Sequence, residues 1–412
     1  MSTVDRTLRA APRARGALVD RVAVAMLERE LAHLEGGSLA VTLPDGTRRR
    51  FGSGTAVSLR IHDRALFRRL ATRGKVGFGE SYTAGEWDTD DLVGLFTLLL
   101  RNSEAAVARN GLVRRVVEAR PRPNRRNGLL RARRNIAYHY DLGNELFALM
   151  LDETMTYSCG IFGGPDASLA DAQRAKLQRV CDQLQLTADD HVLEIGCGWG
   201  SFAVHAARAT GCRVTGLTIS AEQAALARER VEAEGLSDRV ELVEQDYRLH
   251  EGRYSKVASI EMLEAIGEQQ FGTYFATIDR VLEPRGIACV QTILIPDDRW
   301  DRYRKAPDWI EQYVFPGCLI PSLTALTQAA TASSRLTMLD VHEIGPHYAE
   351  TLRRWRRNIH KHIDEVRALG YDGGFERTWD FYLAFCEAGF RSRALRDVQI
   401  TLSRPLNDAV AF

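Results

Sequence analysis

Seven cysteines occur in 412 residues, and none of them forms a C-x-x-C pair. That pattern argues against a zinc module and against a disulfide framework. No stretch approaches the roughly 18 continuous apolar residues that a membrane-crossing helix needs. The opening MSTVDRTLRAAPRARG has arginines but no apolar core behind them, so it does not read as a signal peptide. An excess of charge of one sign is also missing. Lys+Arg number 55 against 54 Asp+Glu, a formal net charge of +1, and global charge therefore predicts no nucleic-acid partner. No internal repeat is visible. A reduced, cytoplasmic protein is the simplest reading of these absences.

The length is too great for one compact core, so two domains are expected. Residues 1–16 are polar and Arg/Ala-rich and read as a disordered start. A small α+β domain is expected over 17–112. In it, 19–35 has apolar residues at helical spacing. Next, SLAVTLPDGTRRRFGSGTAVSLRIHD alternates around Pro44-Asp45-Gly46, a hairpin signal followed by a further strand. A helix near 63–73, the loop GFGESYTAGEW and a helix near 90–102 complete it. Residues 113–134 read as a basic linker, with nine arginines and one acid between Arg114 and Arg134. Such a run is either a solvated face or a contact for anionic lipid headgroups, worth roughly 1 kcal/mol per basic residue.

Residues 135–412 read as the second, larger domain. From about residue 185 short apolar runs alternate with helical segments: HVLEI (191–195), CRVTGL (212–217), RVELVEQD (239–246), SKVASIEM (255–262) and GIACVQTILI (286–295). That alternation predicts an α/β fold with a parallel sheet and helices on both faces. Ligands of such sheets bind beyond the carboxyl ends of the strands. HVLEI runs into Gly196-Cys197-Gly198-Trp199-Gly200, whose glycines admit a ligand to the backbone. A dinucleotide fold would carry an acid at the end of the second strand. This chain has Thr218-Ile219-Ser220-Ala221-Glu222-Gln223 there. Gln223 suits either a ribose contact or a capping box with Ser220. Asp246, ending the third strand, suits either an adenine amine or a structural turn.

In order and spacing, VLEIGCGWGS, GLTIS-x-x-Q, QDYR and EMLEAIG resemble the cyclopropane fatty acid synthase family. So do YHYDLGNELFALMLDETMTYSCGIF, YVFPGCLIPS, GPHYAETLRRW and EAGFRSRALRDVQITLSRP, and the likeness covers roughly residues 75–405. It implies a class I methyltransferase fold, a Rossmann-like seven-stranded sheet with one antiparallel strand at an edge, for which DVQITLSR is the expected reversed strand. It also implies S-adenosylmethionine as co-substrate and an unsaturated phospholipid as acceptor. Tyr157 and Ser158 are then expected at the methionine part, with Glu194, Gly196 and Gly198 lining the cofactor. Thr218 and Gln223 fall at the ribose and Asp246 near the adenine. The family's bicarbonate ligands map onto the Cys159 backbone, Glu264, Ile293 and Tyr348, with Gln291 where many members have histidine. No metal is expected. A homodimer, and peripheral association with the inner face of the membrane, follow by likeness.

The implied reaction sets requirements. An alkene is a weak nucleophile, so its π electrons must be aligned with the sulfonium methyl. The resulting carbocation must be kept from water and faced by electron-rich groups. Tyr313, Phe315, Tyr382 and Phe385 suit that role or ordinary core packing. A weak base suffices to remove a proton from the added methyl and close a cyclopropane ring. A hydride shift first, followed by proton loss, would give a methylene-branched chain instead, and a methyl branch would need a further two-electron reduction. Cys159 is expected to act through its backbone, because no His or Lys is placed by sequence to activate the thiol. His139 and Asp141 are read as closing a lid by local hydrogen bonds. Two other functions compete. The missing acid after the second strand opposes a nicotinamide oxidoreductase, and the retained Glu264, Tyr348 and glycine loop oppose a non-catalytic lipid binder.

Overall fold

The computed structural model describes residues 24–25, 28–29, 31–109, 142–306, 308–408 and 410. The basic run, His139, Asp141 and much of the 19–35 helix lie outside them. The described residues form two compact units, one ending at residue 109 and one starting at 142.

The first unit is a four-stranded sheet with two long helices. Its strands are β1 (Ser38–Thr42), β2 (Arg48–Gly52), β3 (Ala56–Ile61) and β4 (Trp87–Asp88), in the order β2-β1-β3-β4. β1 and β2 are the expected hairpin. The GFGESYTAGEW segment is not the expected loop, because Gly77–Thr83 belongs to the Ala65–Thr83 helix. That helix breaks at Gly74 (φ 54°, ψ −134°), a conformation that glycine adopts without penalty. A side chain at Gly77 would meet the Arg69 carbonyl at 2.2 Å, so the two halves pack backbone to backbone. Trp87 closes the unit: it stacks on Phe78 at 4.3 Å and its indole N–H donates to Ser81 Oγ at 3.0 Å.

The second unit is a seven-stranded sheet: β5 (His191–Ile195), β6 (Arg213–Thr218), β7 (Val240–Glu244), β8 (Tyr254–Ile260), β9 (Leu282–Leu294), β10 (Thr337–Glu343) and β11 (Arg396–Ser403). The order is β10-β11-β9-β8-β5-β6-β7, parallel from β9 to β7. β11 is the reversed strand, but it lies between β9 and β10 and is not at the edge. The edge strand β10 has no continuous apolar run and is half-exposed along most of its length.

Side chains alternate between the two faces of the sheet. On β5, Val192 packs with Phe202, Val214 and Val180 under the Leu169–Leu184 and Ser201–Thr210 helices. Leu193 and Ile195 pack on the other face with Phe275, Ile278 and Leu326, from the Phe271–Val281 and Leu323–Ser333 helices. Each such buried side chain contributes about 1.5–3 kcal/mol. Successive connections run from β5 toward β7 on one side and from β8 toward β9 on the other. The crevice therefore opens at the carboxyl ends of β5 and β8, the topological switch point.

Candidate active site

Three glycines follow β5, all in the left-handed region: Gly196 (φ 86°), Gly198 (φ 52°) and Gly200 (φ 79°). A Cβ on Gly196 would meet Met262 Cγ at 2.6 Å, whereas a Cβ on Gly198 would meet nothing within 4 Å. The loop is thus pressed against protein at Gly196 and open at Gly198. Arg230 holds it, donating to the Trp199 carbonyl (2.6 Å) and the Thr154 carbonyl (2.8 Å). Trp199 Nε1 donates to Asn144 Oδ1 at 2.8 Å. These bonds tie the glycine loop to the segment that leads into Tyr157-Ser158-Cys159.

Glu194 is buried at the end of β5, and one of its oxygens has no hydrogen-bond partner. Burial raises its carboxyl to about 8, with Lys176 opposing the shift. An orphaned acceptor beside an open glycine cradle fits a cationic, hydroxyl-bearing nucleoside. The raised value has a consequence for stability. The folded state binds a proton that the unfolded state has released above its ordinary 4.5. Stability is therefore lost as pH rises from 4.5 through about 8, by up to about 1.4 kcal/mol per pH unit. Ligand-free wild type should melt lower at pH 8.5 than at pH 6.5, and Glu194→Gln should shrink that difference. Equal pH differences in scanning calorimetry would show that Glu194 ionises freely.

At the second strand end, Ser220 caps the Ala221–Ala233 helix by accepting from Gln223 N–H. The Gln223 side chain leaves the cap, and its Oε1 accepts from Thr218 Oγ1 at 3.1 Å. Thr218 and Gln223 are buried together where a ribose contact is expected. Asp246 is engaged by its neighbour: Oδ1 accepts from Arg248 N–H (3.0 Å) and Nε (2.8 Å), and Oδ2 from a second guanidinium N–H (2.6 Å). The turn role of Asp246 is in the geometry, and any adenine contact must use its remaining lone pairs.

Ser158 Oγ accepts from Lys176 Nζ at 2.7 Å, and the Ser158 carbonyl accepts from Gln173 at 2.8 Å. Gln173 and Lys176 lie on the buried face of the Leu169–Leu184 helix, in register with Ala172, Leu177 and Val180. A lysine and a glutamine on an apolar stripe are a legible signal that the sequence reading passed over. Burial lowers the proton affinity of Lys176, and Glu261 is the largest influence opposing it.

The largest difference from expectation is Glu261. The donors assigned by likeness to a bicarbonate ion converge on this side chain. Glu261 Oε1 accepts from Cys159 N–H and from Gln291 Nε2, both at 2.8 Å, and Oε2 accepts from the Tyr348 hydroxyl at 2.5 Å. Glu261 sits just past β8 at φ 50°, and its N–H donates to the Gln291 carbonyl at 2.8 Å. A bicarbonate ion does not fit this donor set as it stands, because a tethered carboxylate already uses three of the five expected ligands. Glu264 meets the fifth instead: its Oε1 accepts from Ile293 N–H (2.5 Å) and Thr292 Oγ1 (2.8 Å). Burial and Glu261 raise Glu264 to about 7.

Asp397, at the start of β11, completes the cluster. Burial and the Glu261 and Glu264 carboxylates push its proton affinity well above the usual carboxylate range. The Gln291 amide is oriented by Gln399, which donates to its oxygen at 3.0 Å and leaves its nitrogen toward Glu261 and Asp397. The Cys159 thiol is fully buried and raised far above its ordinary range by desolvation, so its backbone N–H is the group that acts. Asp397 and Gln399 are polar residues on one side of a buried strand, a period-two signal the sequence reading also missed.

Aromatic rings wall the recess. Tyr157 packs on Trp355 at 5.1 Å and on Phe147 at 5.2 Å, and its hydroxyl bonds that of Tyr382 at 2.9 Å. Phe315 packs on Tyr382 at 5.8 Å. Tyr348 packs on Phe390 at 4.4 Å. Of the four predicted aromatics, Phe315 and Tyr382 join this wall. Tyr313 is 40% exposed beside Trp309, and Phe385 stacks with Phe381. Among the described residues no His, Cys, Asp and Glu are grouped to hold a metal, and no helix is long and apolar enough to cross a membrane.

Known proteins are similar to this chain in sequence and fold. Residues 128–400 match the mycolic acid cyclopropane synthetase family. The tuberculostearic acid methyltransferase UfaA1 of Mycobacterium tuberculosis is 41% identical over 93% of this chain and 91% of its own length. The cyclopropane-fatty-acyl-phospholipid synthase of Escherichia coli is 35% identical over 87% of this chain and 91% of its own. Among solved structures, the mycolic acid cyclopropane synthase CmaA1 complexed with SAH and CTAB is similar with a TM-score of 0.61 and 28% identity. That likeness covers 66% of this chain and 98% of the other. Matching family, relatives and fold together place this chain in the cyclopropane fatty acid synthase family, as an S-adenosylmethionine-dependent C-methyltransferase.

Proposed function

We propose that this enzyme transfers the methyl carbon of S-adenosylmethionine to the cis double bond of an unsaturated acyl chain carried on phospholipid, closing a cyclopropane ring. The observation that carries this reading is the carboxyl cluster of half-buried Glu261 and Glu264 with buried Asp397 beside the glycine loop, behind an aromatic wall. The wall keeps water from a carbocation, and the ring faces of Tyr157, Phe315 and Tyr382 stabilise positive charge. The Glu261 and Glu264 carboxylates supply negative charge where the cation forms.

A second reading is a mid-chain methylene- or methyl-branched product. The 41% identity to a protein named for tuberculostearic acid favours it. In both readings the proton leaves the transferred methyl, so one base position serves either outcome. They differ in whether a hydride moves first. Turnover with a trideuterated methyl donor and gas chromatography with mass spectrometry of the fatty acids separates them. A cyclopropane keeps two deuteriums and survives mild catalytic hydrogenation, whereas a methylene branch keeps two and takes up hydrogen.

We also propose that the basic run between Arg114 and Arg134 docks the enzyme on anionic membrane from the cytoplasmic side. At roughly 1 kcal/mol per basic residue, replacing Arg125, Arg126, Arg133 and Arg134 by glutamine should weaken binding to anionic vesicles by more than about tenfold. Cofactor affinity should stay unchanged, and wild-type binding should fall as salt rises. Equal sedimentation of wild type and variant with the vesicles would reduce the run to a solvated surface.

A further inference from the structure

We propose that the Glu261 carboxylate takes the place of the bicarbonate ion and is the base of the reaction, so that this enzyme carries its base in its own chain. The inference rests on the acyl-chain reading above and deepens it. Three independent donors from three parts of the chain meet this one side chain: the Cys159 N–H, the Gln291 amide and the Tyr348 hydroxyl. Such a set is an anion site, and here the anion is covalently attached. The backbone is bent to deliver it. Glu261 lies in the left-handed region at φ 50°, where a non-glycine residue costs about 1–2 kcal/mol. Strain of that size persists where surrounding contacts hold it, and here the Glu261 N–H is held by the Gln291 carbonyl while three donors hold the carboxylate.

The neighbours explain why a separate ion is disfavoured. Glu264 and Asp397 already stand beside Glu261, and Lys176 is the cation that acts on Glu261 and Asp397. A further anion would add uncompensated charge to a low-dielectric pocket. Gln291, where many relatives have histidine, is suited to a fixed carboxylate. It donates to Glu261 while Gln399 holds its oxygen, and it adds no titrating group of its own.

The alkene π pair forms a bond to the methyl carbon, and the sulfur–carbon pair stays on sulfur, leaving S-adenosylhomocysteine. Positive charge develops on the other alkene carbon. A Glu261 oxygen takes one proton from the added methyl, and the C–H pair closes onto the cationic carbon. Glu261 becomes a carboxylic acid and returns its proton to water after product release.

Two measurements decide the matter. The first is binding: carbon-13 bicarbonate is titrated with full-length wild type and with Glu261→Gly, and its resonance width is read. Glycine accepts the left-handed backbone, so this variant should fold, and it opens the donor set. Wild type should leave the line unchanged, and Glu261→Gly should broaden it. The second is rate. In carbon-dioxide-stripped buffer, wild-type methyl transfer should stay within about twofold of its rate with bicarbonate added. Glu261→Gly should lose about 100-fold and recover at least about tenfold on adding bicarbonate. Glu261→Gln, whose amide still fills the position, should lose a similar factor without recovery. Specific broadening by wild type, stimulation of wild type by bicarbonate, or full activity in Glu261→Gln would overturn the proposal. A wild type that transfers no methyl to lipid would defeat the acyl-chain reading, while the binding measurement would still decide whether Glu261 fills the anion site.

Discussion

Gly198→Val should abolish binding of S-adenosylmethionine and S-adenosylhomocysteine while leaving a folded protein. At φ 52° a β-branched residue is strained by about 1–2 kcal/mol, a loss that a domain of this size tolerates. The added side chain meets no protein atom within 4 Å of its Cβ, so the strain is not compounded by a clash. It projects instead into the opening that the loop keeps clear, and affinity should fall by at least about 100-fold, or 2.7 kcal/mol. Gly196→Val should behave differently. Its Cβ would sit 2.6 Å from Met262 Cγ, so stability and binding should both fall. Isothermal calorimetry alongside thermal melts distinguishes the two variants. Unchanged affinity in a folded Gly198→Val protein would remove the glycine loop from the cofactor site.

Glu264→Gln should lower turnover by about 100-fold or more while changing cofactor affinity by less than about threefold. Glu264 is anchored at one oxygen by Ile293 N–H and Thr292 Oγ1, and its second oxygen is buried without a partner. The glutamine amide can keep the first pair of bonds through its carbonyl oxygen. What it removes is negative charge at the place where the acyl cation forms, an interaction present mainly in the transition state. Lost turnover with intact binding is therefore the expected signature. Steady-state kinetics with a labelled methyl donor, paired with calorimetry, read both quantities. Full turnover would confine Glu264 to a structural role.

The main-chain frame was legible where burial is two-sided. HVLEI and the strands near 214, 257 and 288 are apolar runs, because helices cover them on both faces, whereas the edge strand β7 (VELVE) is buried only at Val240 and Leu242. β10 was not legible as a strand from such a run, because an edge strand half open to solvent keeps Asp340, His342 and Glu343. The helical stretch Gly77–Thr83 was hidden by its glycines, which read as loop residues but serve a kink and a close backbone contact. Glu264, Gln291, Ile293 and Tyr348 fall together in space through resemblance to relatives. Glu261 escaped because it stands in the same motif, three positions earlier, where the family likeness assigns no ligand. Only the fold, which carries β11 beside β9 and the Gly345–Lys361 helix over their ends, shows that Tyr348 and Gln291 point at it. Lys176 escaped for a related reason: helical periodicity marks the buried stripe, but the partner that justifies a buried cation lies 18 residues away at Ser158.

The methyl carbon itself reports most directly on the reaction. Purified enzyme is incubated with trideuterated-methyl S-adenosylmethionine and vesicles of a cis-unsaturated phospholipid, and the acyl chains are released and weighed by mass spectrometry. Acyl chains should be longer by one carbon and retain two of the three deuteriums, with one deuteron lost from the transferred methyl. Release of S-adenosylhomocysteine should match them mole for mole. Chains of unchanged mass in the presence of bound cofactor, or a product retaining all three deuteriums, would contradict the proposed reaction.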